Sequence, residues 1–80
     1  MGKYYPLERY LSSQKKGTLT LNFSAIEKII GDKLPPAAFK HRAWWANDKT
    51  HVEALAWLNA GWSVQTVDES RLAVTFVSTL

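Results

Sequence analysis

Residues 24–31 read Ser-Ala-Ile-Glu-Lys-Ile-Ile-Gly, and this stretch has the clearest helix pattern in the chain. Ser24 and Glu27 fit a capping box, in which each side chain hydrogen-bonds a free backbone amide at the start of a helix. The three isoleucines share one helix face, and Gly31 suits the left-handed position that follows a helix. Asn22 is an alternative cap. The sequence therefore predicts a helix here and leaves its first residue open.

Two shorter elements are predicted before this helix. Pro6 suits the first position of a helix, and apolar residues at 7, 10 and 11 follow it at helical spacing. We therefore expect a short helix over residues 6–11. Residues 18–21 alternate threonine and leucine, which is typical of a β-strand.

Two further helices are predicted after residue 31. Pro36 begins a short helix, whose continuation through residues 41–45 is open between helix and strand. Thr50 and Glu53 fit a second capping box, and Gly61 suits the end of the helix that this box would begin. We expect that helix to be mostly apolar.

The C-terminal residues predict a β-hairpin, with strands over residues 62–67 and 71–77. Helices followed by a hairpin, with an early strand that could join the same sheet, are close to the winged-helix order. We therefore predict one α+β domain over residues 1–80, winged-helix-like, with three to four short helices. The helix that begins at Pro36 would be the recognition helix of a helix-turn-helix, and the helix from Thr50 is the alternative.

Composition excludes several classes of protein. Of the 80 residues, 46% are apolar and none is cysteine. The chain is therefore neither intrinsically disordered nor a disulfide-stapled or cysteine-ligated zinc module. No apolar run approaches the ~20 residues that span a bilayer, and no secretory signal pattern is visible. We expect a cytoplasmic protein that has no membrane partner.

Charge is distributed unevenly along the chain. Residues 1–49 contain nine of the ten lysines and arginines and carry a net charge of +5, whereas residues 50–80 carry −2. A basic face suits a polyanionic partner such as nucleic acid. The alternative is a solvated surface with no binding role.

The basic and aromatic residues are densest over residues 40–51, which read Lys-His-Arg-Ala-Trp-Trp-Ala-Asn-Asp-Lys-Thr-His. Lysine and arginine bind phosphates, arginine and asparagine read base edges, and an exposed tryptophan stacks on an unpaired base. We expect one of Trp44 and Trp45 to be buried and the other partly exposed. The candidate nucleic-acid-binding residues are Lys40, His41, Arg42, Trp45, Asn47, Lys49 and His51.

The sequence has no recognisable catalytic or cofactor motif. His41 and His51 are ten residues apart, which is not the spacing of a helical metal-binding pair. With four glycines in all, the chain has no glycine-rich phosphate loop, and no serine lies in a nucleophile elbow. We therefore expect a protein that is not an enzyme and that uses neither a cofactor nor a metal.

Three stretches of the chain resemble a small domain of unknown function found in bacterial and phage proteins. They are Phe23-x-x-Ile26-Glu27-x-Ile29-Ile30-Gly31-x-x-Leu34-Pro35, Ala43-Trp44-Trp45-Ala46-Asn47 and Ala56-Trp57-Leu58-x-Ala60-Gly61-Trp62-x-Val64. The resemblance covers most of the chain. It implies a domain type and a prokaryotic or phage setting, and it implies no mechanism.

These observations favour a non-enzymatic nucleic-acid-binding module, with DNA as the expected ligand. One alternative is a protein-interaction or inhibitor module, such as a phage protein that acts on a host factor through its aromatic patch. Another is a domain that binds a nucleotide-like small molecule. The sequence leaves the oligomeric state open.

Overall fold

The computed structural model describes residues 2–79 and has one early strand, a run of helices and a C-terminal pair of strands. The elements are, in chain order, α1 (Tyr5–Ser12), β1 (Thr18–Asn22), α2 (Phe23–Ile30), α3 (Pro36–Lys40), a 3-10 helix (Arg42–Trp45), α4 (Val52–Asn59), β2 (Trp62–Asp68) and β3 (Ala73–Ser78). The predicted α+β class is confirmed. The ambiguous stretch after α3 is neither α-helix nor strand but the 3-10 helix.

The three strands form one antiparallel sheet in the order β1-β3-β2. The hairpin places β3 in the centre, and β1 pairs with its other edge, so that Leu21 lies opposite Val74. A bulge interrupts the pairing of β2 between Val64 and Thr66. The early strand therefore joins the sheet of the hairpin, as its alternation suggested.

Helix α2 begins with a different cap from the predicted capping box. The Asn22 side-chain oxygen accepts a hydrogen bond from the Ala25 amide at 2.7 Å, so the alternative cap is the one that forms. Ser24 already lies inside the helix, and the Glu27 carboxylate instead accepts from the Leu34 amide at 2.8 Å. Gly31 has the expected left-handed conformation, with φ of 71°.

The capping box predicted at Thr50 is wrong. Helix α4 begins at Val52, and its N-cap residue, His51, makes no side-chain cap hydrogen bond. The Thr50 amide and hydroxyl both donate to the Asp48 side chain, at 2.9 and 2.7 Å. Asp48 and Thr50 thus form a turn in which a side chain bonds the backbone two residues later. Because the Thr50 hydroxyl donates to Asp48, it does not cap the helix.

The core is built around four aromatic rings that follow one another from α2 to the sheet. Phe23 stacks on Trp45 with ring centroids 5.0 Å apart, Trp45 stacks on Trp57 at 5.8 Å, and Trp57 contacts Phe76 at 5.8 Å. All four side chains are almost fully buried. Burial of such large rings dominates the stability of a small domain. Among the described residues, no helix is long and apolar enough to cross a membrane.

Candidate nucleic-acid interface

Trp45 lies in the core, not on the surface where a stacking role would require it. It is 1% exposed, and its indole Nε1–H donates to the Ala38 carbonyl at 2.9 Å. Both faces of the ring are occupied, by Phe23 and Trp57. Trp45 therefore has no free face for the base contact expected of it, because the 3-10 helix turns this indole inward.

Trp44 is the partly exposed indole of the pair. Its ring packs edge-on against Trp45 at 4.7 Å and against Tyr4 at 5.9 Å. One tryptophan is buried and the other is partly exposed, as expected, and the structure shows that Trp45 is the buried one. The contact with Tyr4 ties Trp44 to the residue that precedes α1.

Asn47 uses its side-chain amide to hold the fold together. Its Oδ1 accepts hydrogen bonds from the Val64 amide at 2.8 Å and from the Trp57 indole at 3.0 Å. Its Nδ2 donates to the Val64 carbonyl at 3.0 Å. An amide oxygen has two lone pairs, so no acceptor is left over. The adenine contact expected of Asn47, which needs both a donor and an acceptor, would have to break these bonds.

Three consecutive side chains remain free, and we call them the basic turn: Lys40, His41 and Arg42. Lys40 ends α3, His41 is extended, and Arg42 begins the 3-10 helix. All three are exposed. Over residues 2–79, none of these side chains forms an ion pair or a hydrogen bond, so no carboxylate neutralises the two cations.

Of the other two candidates, His51 lies beside carboxylates, whereas Lys49 forms no ion pair within residues 2–79. Lys49 is exposed and follows Asp48 directly. The His51 ring lies 3.8 Å from Asp48 through Nε2 and 3.8 Å from Glu53 through Nδ1. Its Nδ1 is buried without a hydrogen-bond partner, and Glu53 is only 9% exposed. His51 is thus held between two acids, which is unfavourable for a contact with a polyanion.

The pKa of the Asp48 carboxyl is lowered, first by the hydrogen bonds from the Thr50 amide and hydroxyl and then by the charge of His51. The Asp48 side chain is exposed, and its carboxyl stays ionised near neutral pH. No group of three or more acids and histidines in the described chain could hold a metal ion. The structure therefore separates the seven candidates into three groups. The basic turn and Lys49 are exposed cations and a histidine, Trp45 and Asn47 bond or pack within the fold, and His51 lies between two acids.

A surface cavity of about 290 Å³ lies between α2, α3 and the β2–β3 turn. Its apolar walls are Phe23, Phe39 and Leu72. Its polar groups are Asn22, Ser24, Glu27 and Arg71. Sequence reasoning missed this site. Phe39 directly precedes the basic turn and could have been found there, whereas nothing in the local pattern identifies Leu72.

Comparison with known proteins gives one match. The sequence model of a family described as "Domain of unknown function (DUF7662)" matches residues 4–79. This confirms the resemblance to a domain of unknown function. No curated protein and no solved structure matches the chain.

Proposed function

The chain belongs to this family of unknown function, and we propose that it is a non-enzymatic nucleic-acid-binding module that contacts phosphates through the basic turn. The observation that carries the proposal is that Lys40 and Arg42 flank His41 on an exposed turn, with no carboxylate partner among the described residues 2–79. Unpaired lysine and arginine side chains release counterions when they neutralise phosphates, and this release drives binding. Lys49 adds a third cation close by in the sequence.

We further interpret the fold as winged-helix-like. The outer strand β1 precedes α2, and the hairpin follows the last helix and supplies the other two strands of the sheet. In this interpretation α2 and α3 form the helix-turn-helix, and the basic turn continues the recognition helix. The hairpin would be the wing.

Phosphate contact accounts for the surface better than base reading does. Helix α3 has five residues and only Lys40 is charged among them. Helix α4 has two polar side chains, Glu53 and Asn59, and Glu53 is buried. Sequence reading in the major groove needs several polar side chains on one helix face. We therefore propose binding with little sequence preference.

A salt titration tests the proposal. Labelled DNA should bind at low salt, and three phosphate contacts should give a log–log salt slope of about −2.7 for a duplex. The double variant Lys40→Gln/Arg42→Gln removes two of these contacts, so the slope should become shallower by about 1.8. Fluorescence anisotropy over a range of salt concentrations measures both.

The matched control is Lys15→Gln/Lys16→Gln, which removes the same charge from exposed residues in the loop between α1 and β1. This variant should keep the wild-type slope. An equal loss in both variants would show that net charge alone causes binding. Absence of binding to any DNA or RNA at low salt would rule the function out.

A further inference from the structure

We propose that the cavity beside the basic turn holds one unstacked base of a single-stranded nucleic acid, an inference that rests on the proposed function. The cavity opens between α3 and the β2–β3 turn and measures about 290 Å³. Small-molecule sites in proteins range from about 300 to 1,000 Å³, so this one suits a single ring system. A folded peptide or a larger ligand would exceed it.

The two outer walls are apolar side chains that the fold leaves exposed. Phe39 is 36% exposed, and its ring is held edge-on to Phe23 with centroids 5.2 Å apart. Leu72 is 41% exposed on the side of the hairpin turn. A base that lies between them would cover both, and stacking on an aromatic ring tolerates any base.

The backbone holds Leu72 in place at this wall. Leu72 has a φ of 52°, in the left-handed region that a branched side chain rarely adopts. Its carbonyl accepts a hydrogen bond from the Phe23 amide at 2.7 Å. Strained residues persist where the surroundings fix them, and they cluster at binding sites. The wall is therefore present before a ligand arrives.

Charge around the cavity fits a base that is flanked by phosphates. The Arg71 side chain lines the cavity and is 85% exposed, with Asp68 3.9 Å from its guanidinium. Lys40 follows the wall residue Phe39 directly in the chain, and the backbone places the Cα of Arg42 at most about 11 Å from the Cα of Phe39. Glu27 also lines the cavity; its Oε2 accepts from the Leu34 amide, and its other oxygen is an acceptor for an N–H donor on a base edge rather than for a phosphate.

The consequence is a preference for single strands. In a duplex the bases are stacked and paired, so the cavity stays empty and only the phosphate contacts remain. We expect a single-stranded oligonucleotide to bind about tenfold more tightly than a hairpin duplex with the same number of phosphates. The difference should persist at every salt concentration.

Two wall variants test the inference by anisotropy with labelled oligothymidine and a labelled hairpin duplex. Phe39→Ala should weaken single-strand binding about tenfold and leave duplex binding and the salt slope unchanged. Leu72→Gly should act in the same direction. Glycine adopts a positive φ without strain, so this variant keeps its fold even if Phe39→Ala does not. Val52→Ala, at a 70% exposed apolar residue outside the cavity, should bind like the wild type.

The outcomes separate this inference from the proposed function. Equal affinity of the wild type for both nucleic acids, or unchanged single-strand binding in both wall variants, would overturn the inference and leave the phosphate contacts standing. A thermal shift with free nucleotide and no binding of oligonucleotides would overturn both, because the cavity would then be a small-molecule site. Preferential binding to a protein over both nucleic acids would also overturn both the inference and the proposed function.

Discussion

Asn47 acts at the residue scale as a substitute for a short strand. Its side-chain amide pairs with both backbone groups of Val64, in the way that a neighbouring strand would, and also receives the Trp57 indole. These three hydrogen bonds join the segment after the 3-10 helix to β2 and to α4. Asn47, which the sequence pattern suggests as a base-contacting residue, therefore stabilises the fold.

Removal of this amide should destabilise the protein. In Asn47→Ala the Val64 amide and carbonyl and the Trp57 indole lose their partners, and each unsatisfied buried group costs about 1–3 kcal/mol. Because water reaches part of this site, we expect a loss of about 2 kcal/mol in the free energy of unfolding. Urea unfolding followed by tryptophan fluorescence measures it. Asn59→Ala, at an exposed position, is the control, and a loss no larger than in this control would contradict the assigned role.

At the scale of single elements, local patterns predict the helices and strands well and the N-caps of α2 and α4 poorly. Helix α2 follows its isoleucine stripe and is capped by Gly31, because both depend only on neighbours in the chain. The 3-10 helix depends on a distant constraint. The Trp45 indole must reach the Ala38 carbonyl and lie between two other rings, and no local pattern contains that information.

The cap of α2 can be tested directly. Asn22→Ala removes the hydrogen bond to the Ala25 amide and should reduce the free energy of unfolding by about 1 kcal/mol. Ser24→Ala removes the hydroxyl of the predicted box, which caps nothing here, and should change it by less than about 0.5 kcal/mol. Thermal or urea unfolding of the two variants gives the comparison. A larger loss of the free energy of unfolding in Ser24→Ala than in Asn22→Ala would show that Ser24 is the cap.

At the scale of the whole molecule, charge and aromatic density locate the candidate surface, and long-range packing decides which side chains are free on it. Residues 40–51 do contain exposed cations. Trp45 is buried against Trp57, and the Asn47 side chain, although exposed, is bonded to Val64 and Trp57. Arg71 and Leu72 reach the site from the far end of the chain, and only the hairpin register places them there.

Stability should fall at both ends of the pH range for opposite reasons. The pKa of Asp68 is lowered, first by the Ser70 hydroxyl, and that of Asp48 by the Thr50 amide. A carboxyl with a lowered pKa in the folded state stabilises the fold above its ordinary pKa of 3.8, and that contribution is lost as the pH falls below it.

Burial, followed by the charges of Glu53 and Asp32, raises the pKa of Tyr4. The contribution of Tyr4 to the stability of the fold is therefore fully present below the ordinary tyrosine pKa of 10.0. It is lost as the pH rises above that value.

Urea unfolding midpoints measured from acid to alkaline pH test the expected loss of stability at each end of the pH range. The wild-type midpoint should be flat near neutral pH, decline below about pH 4 and decline again above about pH 10. Asp48→Asn/Asp68→Asn should decline less steeply in acid, because neither amide titrates, and Tyr4→Phe should decline less steeply in alkali. Thr20, whose hydroxyl bonds Thr75 at 2.9 Å and does not titrate, offers the control: Thr20→Val should shift the whole curve without changing either slope. Parallel acid limbs in the wild type and the double variant would show that these two carboxyls do not stabilise the fold.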